Sequence, residues 1–157
     1  MSRSRLVTFH AVASSIALMT ISAFWLSALS AELFLDHTGV VSVRRAILLA
    51  LPVLIAALAG AGASGARLAG RSRAPAVRAK RTRMMIAAAV GALVLVPSAI
   101  FLAWKANAGS LDATFATVQT LELIAGALNI SLLGLNMRVG LRMRANRLRL
   151  RARKVAA

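Results

Sequence analysis

Polar side chains recur along one face of the last long apolar stretch of the chain. Seven positions on this face are separated alternately by three and four residues: Gln119, Glu122, Gly126, Asn129, Leu133, Asn136 and Gly140. This spacing is typical of a helical seam that packs against neighbouring helices. Because polar side chains in lipid turn inward, we predict that the seam points into a helical bundle. Its two glycines would allow another backbone to approach closely.

Glu122 is the only acidic residue within any of the long apolar stretches. An ionised carboxylate in such a position costs about 2.5–3.5 kcal/mol, so we expect Glu122 to be protonated, paired or beside a water-filled cavity. The available cations, Arg44, Arg45 and Lys105, are expected near the outer surface rather than at the depth of Glu122. The sequence therefore does not indicate a direct ion pair. Two roles stay open for this carboxyl: a hydrogen bond that fixes helix packing, and a functional intramembrane site.

Two prolines are expected at nearly the same depth as Glu122. Pro52 lies in the second apolar stretch and Pro97 in the third, next to Ser98. Each proline lacks an amide donor and frees the carbonyl four residues back, which for Pro97 is Leu93. Freed carbonyls, a serine hydroxyl and a carboxyl at one level predict an internal polar pocket.

His10 lies near the inner end of the first apolar stretch, where we expect it level with Asn136 and with Met84 and Met85. A histidine in a membrane helix can ligate haem iron, or it can hydrogen-bond a neighbouring helix. A bis-histidine haem is excluded, because His37 is expected in the opposite, outer loop. Ligation of a haem by His10 and one of the two methionines stays an alternative to the packing role.

The remaining chemistry of the chain is sparse. It has no Cys and no Tyr, so thiolate sites and disulfides are absent. Glu32, Asp36 and His37 form an outer cluster that could bind a divalent metal, but their spacing matches no dedicated site. We therefore predict a solvated loop there and no metal. The sequence contains no phosphate-binding loop, zinc-protease helix or hydrolase elbow, so no catalytic residue is predicted.

The elements that position these residues follow from composition. The 157 residues are 59% hydrophobic and 15% charged, whereas soluble domains carry about 25% charged residues. Four uninterrupted apolar stretches, at about 6–29, 46–65, 84–104 and 113–137, are each long enough to cross a bilayer. We predict an all-α integral membrane four-helix bundle that forms a single transmembrane domain. This composition excludes a soluble enzyme, a secreted disulfide scaffold and a disordered tail.

The basic residues predict the orientation of the bundle. Of the 20 Lys and Arg residues, 17 lie in the N-terminal tail, the loop 66–83 and the tail 138–157, and 3 lie on the other side. This bias predicts that both termini and the loop 66–83 face the cytoplasm. Trp25 and Trp104 are expected as interfacial anchors near the outer surface. The first apolar stretch is too long for the core of a signal peptide.

The basic segments themselves have a simple interpretation. They lie immediately beside the apolar stretches and contain no interleaved aromatic residues, so we predict contact with anionic lipid headgroups and not with nucleic acid. The end of the tail, 147–154, either extends the fourth helix or lies on the membrane.

Three stretches carry a resemblance to known proteins: 80–84 (KRTRM), 95–99 (LVPSA) and 119–129 (QTLELIAGALN). They resemble segments of uncharacterised bacterial four-span inner-membrane proteins, and this resemblance covers most of the chain. It implies a bacterial inner-membrane location but no activity. A fold-level likeness to the four-helix protoporphyrinogen oxidases and to related copper-resistance membrane proteins rests on His10 and on the helix count. The tyrosine and arginine pattern of those oxidases is missing, so no site is transferred from them.

Three functions follow as hypotheses. The leading one is a non-catalytic accessory or assembly subunit, within a larger membrane complex or a homo-oligomer. The second is a haem-binding or quinone-linked redox protein that uses His10. The third is a proton-coupled small-solute carrier that uses Glu122.

Overall fold

The chain folds into long helices. The computed structural model describes residues 2–70 and 75–155, so Arg71 and Arg73 of the basic loop lie outside the described residues. The helical elements are α1 (Arg3–Phe34), α2 (His37–Ala69), α3 (Pro75–Val90), a π-helical turn (Gly91–Leu95), α4 (Val96–Asn107) and α5 (Ala113–Val155). The π turn joins α3 to α4, and together they form the third long helical rod. The prediction of an all-α fold is confirmed for the residues described.

Four helical stretches are long and apolar enough to cross a membrane: Arg3–Phe34, His37–Ala69, Val77–Asn107 and Ala113–Met143. Each of these helices is longer than the corresponding predicted stretch. The helical backbone continues past the charged residues that bound the apolar run. The backbone of the basic tail continues α5 to Val155. Of the two alternatives for residues 147–154, the structure therefore has the extension of the fourth helix.

Each rod packs against the one that precedes it and the one that follows it, and α5 closes the bundle by packing against α1. The α1–α2 interface is the most extensive, and buried Ala13, Ala17 and Ala28 belong to α1. Small side chains at a helix–helix interface let the two backbones approach closely. Gly60 of α2 illustrates this, because a β-carbon there would lie 3.2 Å from the ring of Phe9.

The two ends of the bundle differ in charge. One end carries the start of α1, the end of α2, the start of α3 and the end of α5, and we call it the basic end. The other carries the short connections 35–36 and 108–112, and we call it the turn end. A cluster of buried residues fills the turn end: Ala31, Val40, Leu102, Ala106 and Phe115. The start of α1 and the end of α5 thus lie at the same end of the bundle.

Two acidic residues begin helices at the turn end. Asp36 accepts a hydrogen bond from the Gly39 amide at 2.9 Å and caps α2, and Asp112 accepts one from the Phe115 amide at 3.0 Å and caps α5. Carboxylates are favoured at these positions because the first amides of a helix lack partners. In the described part of the chain, no three His, Asp or Glu side chains group so as to hold a metal ion.

Trp25 joins α1 to α5. Its indole Nε1 donates a hydrogen bond to the Leu123 carbonyl of α5 at 2.8 Å, and a β-carbon on Gly126 would lie 2.9 Å from Trp25 Cδ1. The polar group of Trp25 thus binds a neighbouring helix, and its role as an interfacial anchor stays a prediction. Trp104 is 64% exposed at the turn end.

The Asp112 cap makes the start of α5 sensitive to pH. Lys105 donates to the Asp112 carboxylate at 2.5 Å, and this bond, together with the Phe115 amide, holds the pKa of Asp112 below its ordinary value. Because the folded pKa is the lower one, the stabilisation is complete above the unfolded value of about 3.9 and is lost as pH falls through the folded pKa. A carbon-detected NMR titration of the Asp112 carboxyl is expected to show the lowered pKa in the parent chain, and a rise toward 3.9 in Lys105→Met. A parent pKa at or above 3.9 would contradict this account of the cap.

Candidate functional site

Arg44 of α2 is a buried cation at the centre of the polar contacts near the turn end. Its side chain is 2% exposed. Nη1 donates to Glu122 Oε2 at 2.5 Å, and Nη2 donates to Gln119 Oε1 at 2.7 Å. The guanidinium also lies 5.8 Å from the centre of the Phe115 ring, within cation–π range. One planar side chain thus binds two neighbouring turns of α5.

The expectation that Glu122 has no cation at its own depth is wrong. The predicted second span began at Ala46, whereas α2 begins at His37 and carries Arg44 into the bundle. At 1.5 Å per residue, Arg44 lies roughly 10 Å along α2 from its start, and Glu122 roughly 14 Å along α5. The two side chains therefore meet at nearly the same level, and the Glu122 side chain is only 13% exposed.

A third helix joins these contacts through Gln119. Its Nε2 donates to Glu32 Oε2 of α1, while its Oε1 accepts from Arg44. Gln119 is buried, and Glu32 is exposed at the turn end. We call Glu32, Arg44, Gln119 and Glu122 the Arg44 network. It connects α1, α2 and α5, and one of its carboxylates can be solvated at the surface.

A small cavity lies beside the Arg44 network. Its volume is about 50 Å³, its walls come from all four rods, and Glu122 is the only ionisable side chain that lines it. Leu95 and Ala99 contribute to its wall, whereas neighbouring Pro97 and Ser98 do not. Ser98 is buried within α4. The predicted polar pocket of freed carbonyls, serine and carboxyl is therefore replaced by a mainly apolar cavity with one carboxyl at its edge.

Asn129 lies further along the α5 seam, toward the basic end. It is 1% exposed, and neither Nδ2 nor Oδ1 has a hydrogen-bond partner among the described residues. Its Nδ2 lies beside Gly91, the first residue of the π turn. A β-carbon built on Gly91 would be 3.5 Å from this nitrogen. Buried amides are normally hydrogen-bonded, so this position requires an explanation.

His10 and Asn136 connect helices at the basic end. His10 Nδ1 lies 3.0 Å from the Ala61 carbonyl of α2, and because a carbonyl only accepts, this contact assigns the hydrogen to Nδ1. Nδ1 also lies 3.1 Å from Ser64 Oγ. Asn136 Nδ2 donates to the Lys80 carbonyl at 3.2 Å, which joins α5 to α3.

These contacts fit the packing role for His10, and only Nε2 is left for a metal. Haem binding at this histidine stays a prediction, and the absorption spectrum of the purified protein tests it.

The six candidate residues from the sequence do not form one site. Gln119 and Glu122 share the Arg44 network, whereas Asn129 and Asn136 follow at later turns of the seam, Ser98 lies on α4, and His10 is at the basic end. Sequence reasoning missed Arg44, Glu32 and Trp25. For Arg44 the available signal was Asp36, a helix-capping residue that places the start of α2 before the arginine.

Comparisons of the chain with protein-family models, with curated proteins and with solved structures found no match. The resemblance to bacterial four-span inner-membrane proteins therefore stays a prediction.

The Arg44 network predicts a large loss of stability when its cation is removed. Arg44→Leu leaves the Glu122 carboxylate without its cation, and we expect the free energy of unfolding to fall by about 3–5 kcal/mol. The measurement is unfolding in mixed micelles, followed by circular dichroism.

Arg45→Leu is the matched control, because Arg45 is the next residue along α2 and is exposed. Surface changes of this kind are usually within about 0.5 kcal/mol of the parent. The double variant Arg44→Leu/Glu122→Leu is expected to recover part of the loss, because both buried charges are then removed. Equal effects of Arg44→Leu and Arg45→Leu would contradict the assigned role of the network.

Proposed function

We propose that this chain is a multi-pass protein of the bacterial inner membrane, with both termini in the cytoplasm, that acts as a non-catalytic accessory or assembly subunit. The observation that carries the proposal is the Arg44 network, in which the buried charged side chains bind other helices of the same chain. Charges used in this way hold a bundle together, which favours a packing role for the Arg44 network over a catalytic one.

The outer surface of the bundle supports the membrane assignment. In each candidate span only 22–28% of the most apolar window is buried. Large apolar side chains such as Met19, Leu49 and Leu93 are more than 70% exposed, which suits acyl chains and not water. The acids of the chain lie in the half of the bundle near the turn end, and the basic segments lie at the other end. This asymmetry favours a cytoplasmic basic end in contact with anionic headgroups.

Two features support the accessory role: the small size of the internal cavity and the exposed apolar side chains of α4. The internal cavity of about 50 Å³ is well below the roughly 300–1,000 Å³ of typical small-molecule sites. The outside of α4 instead presents an exposed apolar face formed by Pro97, Ile100, Phe101 and Trp104. We propose that a helix of a partner subunit packs along this face.

Purification from the native membrane tests the accessory role. The tagged chain, extracted in mild detergent, is expected to bring one membrane protein with it in constant ratio. Ile100→Ala/Trp104→Ala should lower that ratio while the chain still enters the membrane. Leu49→Ala is the control, because Leu49 is an exposed apolar side chain on a different rod, α2. A parent chain that purifies alone, or a partner that is retained equally by both variants, would contradict the proposal.

A second candidate function, a proton-coupled carrier of small solutes, is favoured by one observation: Glu122 lines the internal cavity. A carboxyl in contact with both a cation and a cavity can exchange a proton when the pair separates. In liposomes with a pH gradient, this candidate predicts that Glu122→Gln abolishes solute flux. Asp112→Asn, which removes an exposed carboxyl at the turn end, should retain it. Equal flux in Glu122→Gln and the parent would eliminate the carrier.

A further inference from the structure

Asn129 is the buried polar side chain of the seam whose hydrogen bonding is least satisfied. Gln119 binds Arg44 and Glu32, and Asn136 donates to the Lys80 carbonyl. Asn129 is more deeply buried than either, at 1% exposure, yet both of its amide atoms lack partners among the described residues. An amide in this state inside a membrane bundle is costly, because no bulk water can reach it.

The space beside Asn129 is formed by a glycine. A β-carbon built on Gly91 would meet one neighbouring atom within 4 Å, Asn129 Nδ2, at 3.5 Å. That separation is ordinary van der Waals contact, and no other atom is found within 4 Å of this position apart from the helix backbone and the two chain neighbours of Gly91. The missing side chain of Gly91 therefore leaves open space next to the Asn129 amide.

The backbone of the π turn leaves the Ala92 carbonyl without its usual helical donor. The Val96 amide donates to the Gly91 carbonyl five residues back, and Pro97 has no amide hydrogen. The Ala92 carbonyl would be bonded by Val96 in an α-helix and by residue 97 in a π-helix. It receives neither bond. Ala92 therefore offers a carbonyl without either donor, next to Leu93, whose α-helical donor would be the amide hydrogen that Pro97 lacks.

We propose that Asn129 and the π turn form a binding site for one buried water molecule, in the space beside Gly91. The chemistry of the amide selects this class of ligand. A cation would bind Oδ1 but would face the hydrogens of Nδ2, and an anion would accept from Nδ2 but would leave Oδ1 without a donor. A neutral molecule that both donates and accepts satisfies both atoms, and water is the smallest such molecule.

Two glycine variants test this site, because they are expected to change the unfolding temperature in opposite directions or only in one of the two. Alanine has a higher helix propensity than glycine, so Gly134→Ala is expected to leave the unfolding temperature unchanged or raise it, because nothing lies within 4 Å of its β-position. Gly91→Ala places a methyl group in the space beside the amide and leaves too little room for the water. We expect it to lower the unfolding temperature, and we expect that loss to disappear in an Asn129→Leu background.

Solid-state NMR in lipid bilayers detects the water directly. The side-chain amide of Asn129, assigned from its loss in Asn129→Leu, is expected to receive magnetisation from water in the parent and in Gly134→Ala. In Gly91→Ala this transfer should be lost. Absence of the transfer in the parent would overturn the proposal whatever the unfolding temperatures. Transfer that survives in Gly91→Ala would overturn the placement beside Gly91.

Discussion

The bundle depends on how the chain accommodates Arg44, a guanidinium that α2 carries into an apolar interior. A buried charge is tolerated only where a counter-charge and hydrogen bonds replace the water it loses. Glu122 supplies the counter-charge, Gln119 supplies an acceptor one turn away, and Phe115 offers the face of its ring. These partners lie on a single helix, so satisfying Arg44 fixes both the rotation and the height of α5 against α2. The contact from Gln119 to Glu32 then brings α1 into the same arrangement.

The remaining polar contacts repeat this use of side chains at other levels of the bundle. Trp25 binds a carbonyl of α5, His10 binds the end of α2, and Asn136 binds α3. In the proposed membrane setting, each contact supplies an attraction between helices that lipid does not provide. A bundle held in this way places its buried polar groups between helices and presents mainly apolar side chains along its sides. This arrangement supports the proposed accessory function.

The sequence predicted the helices well because their signal is local. Long apolar runs gave the four rods, and the alternating spacing of three and four residues gave the buried face of α5, whose Gln119, Asn129 and Asn136 are all buried. The predicted helix ends were less accurate. An apolar run is bounded by the nearest charge, whereas α2 and α5 begin at their capping residues, Asp36 and Asp112. The partners of Glu122 and Trp25 could not be predicted. They depend on which turns of two distant helices reach the same height, and that is a property of the assembled bundle.

The pairing of Arg44 with Glu122 in a bilayer is the central claim, and a dipolar recoupling experiment measures it most directly. Glu122 and Glu32 are the two glutamates of the chain, so carboxyl labelling gives two resonances that a Glu32→Gln variant separates. The account predicts strong coupling between the guanidinium nitrogens of Arg44 and the Glu122 carboxyl carbon, with the chemical shift of an ionised carboxylate. A protonated Glu122 carboxyl without coupling to Arg44 would contradict it.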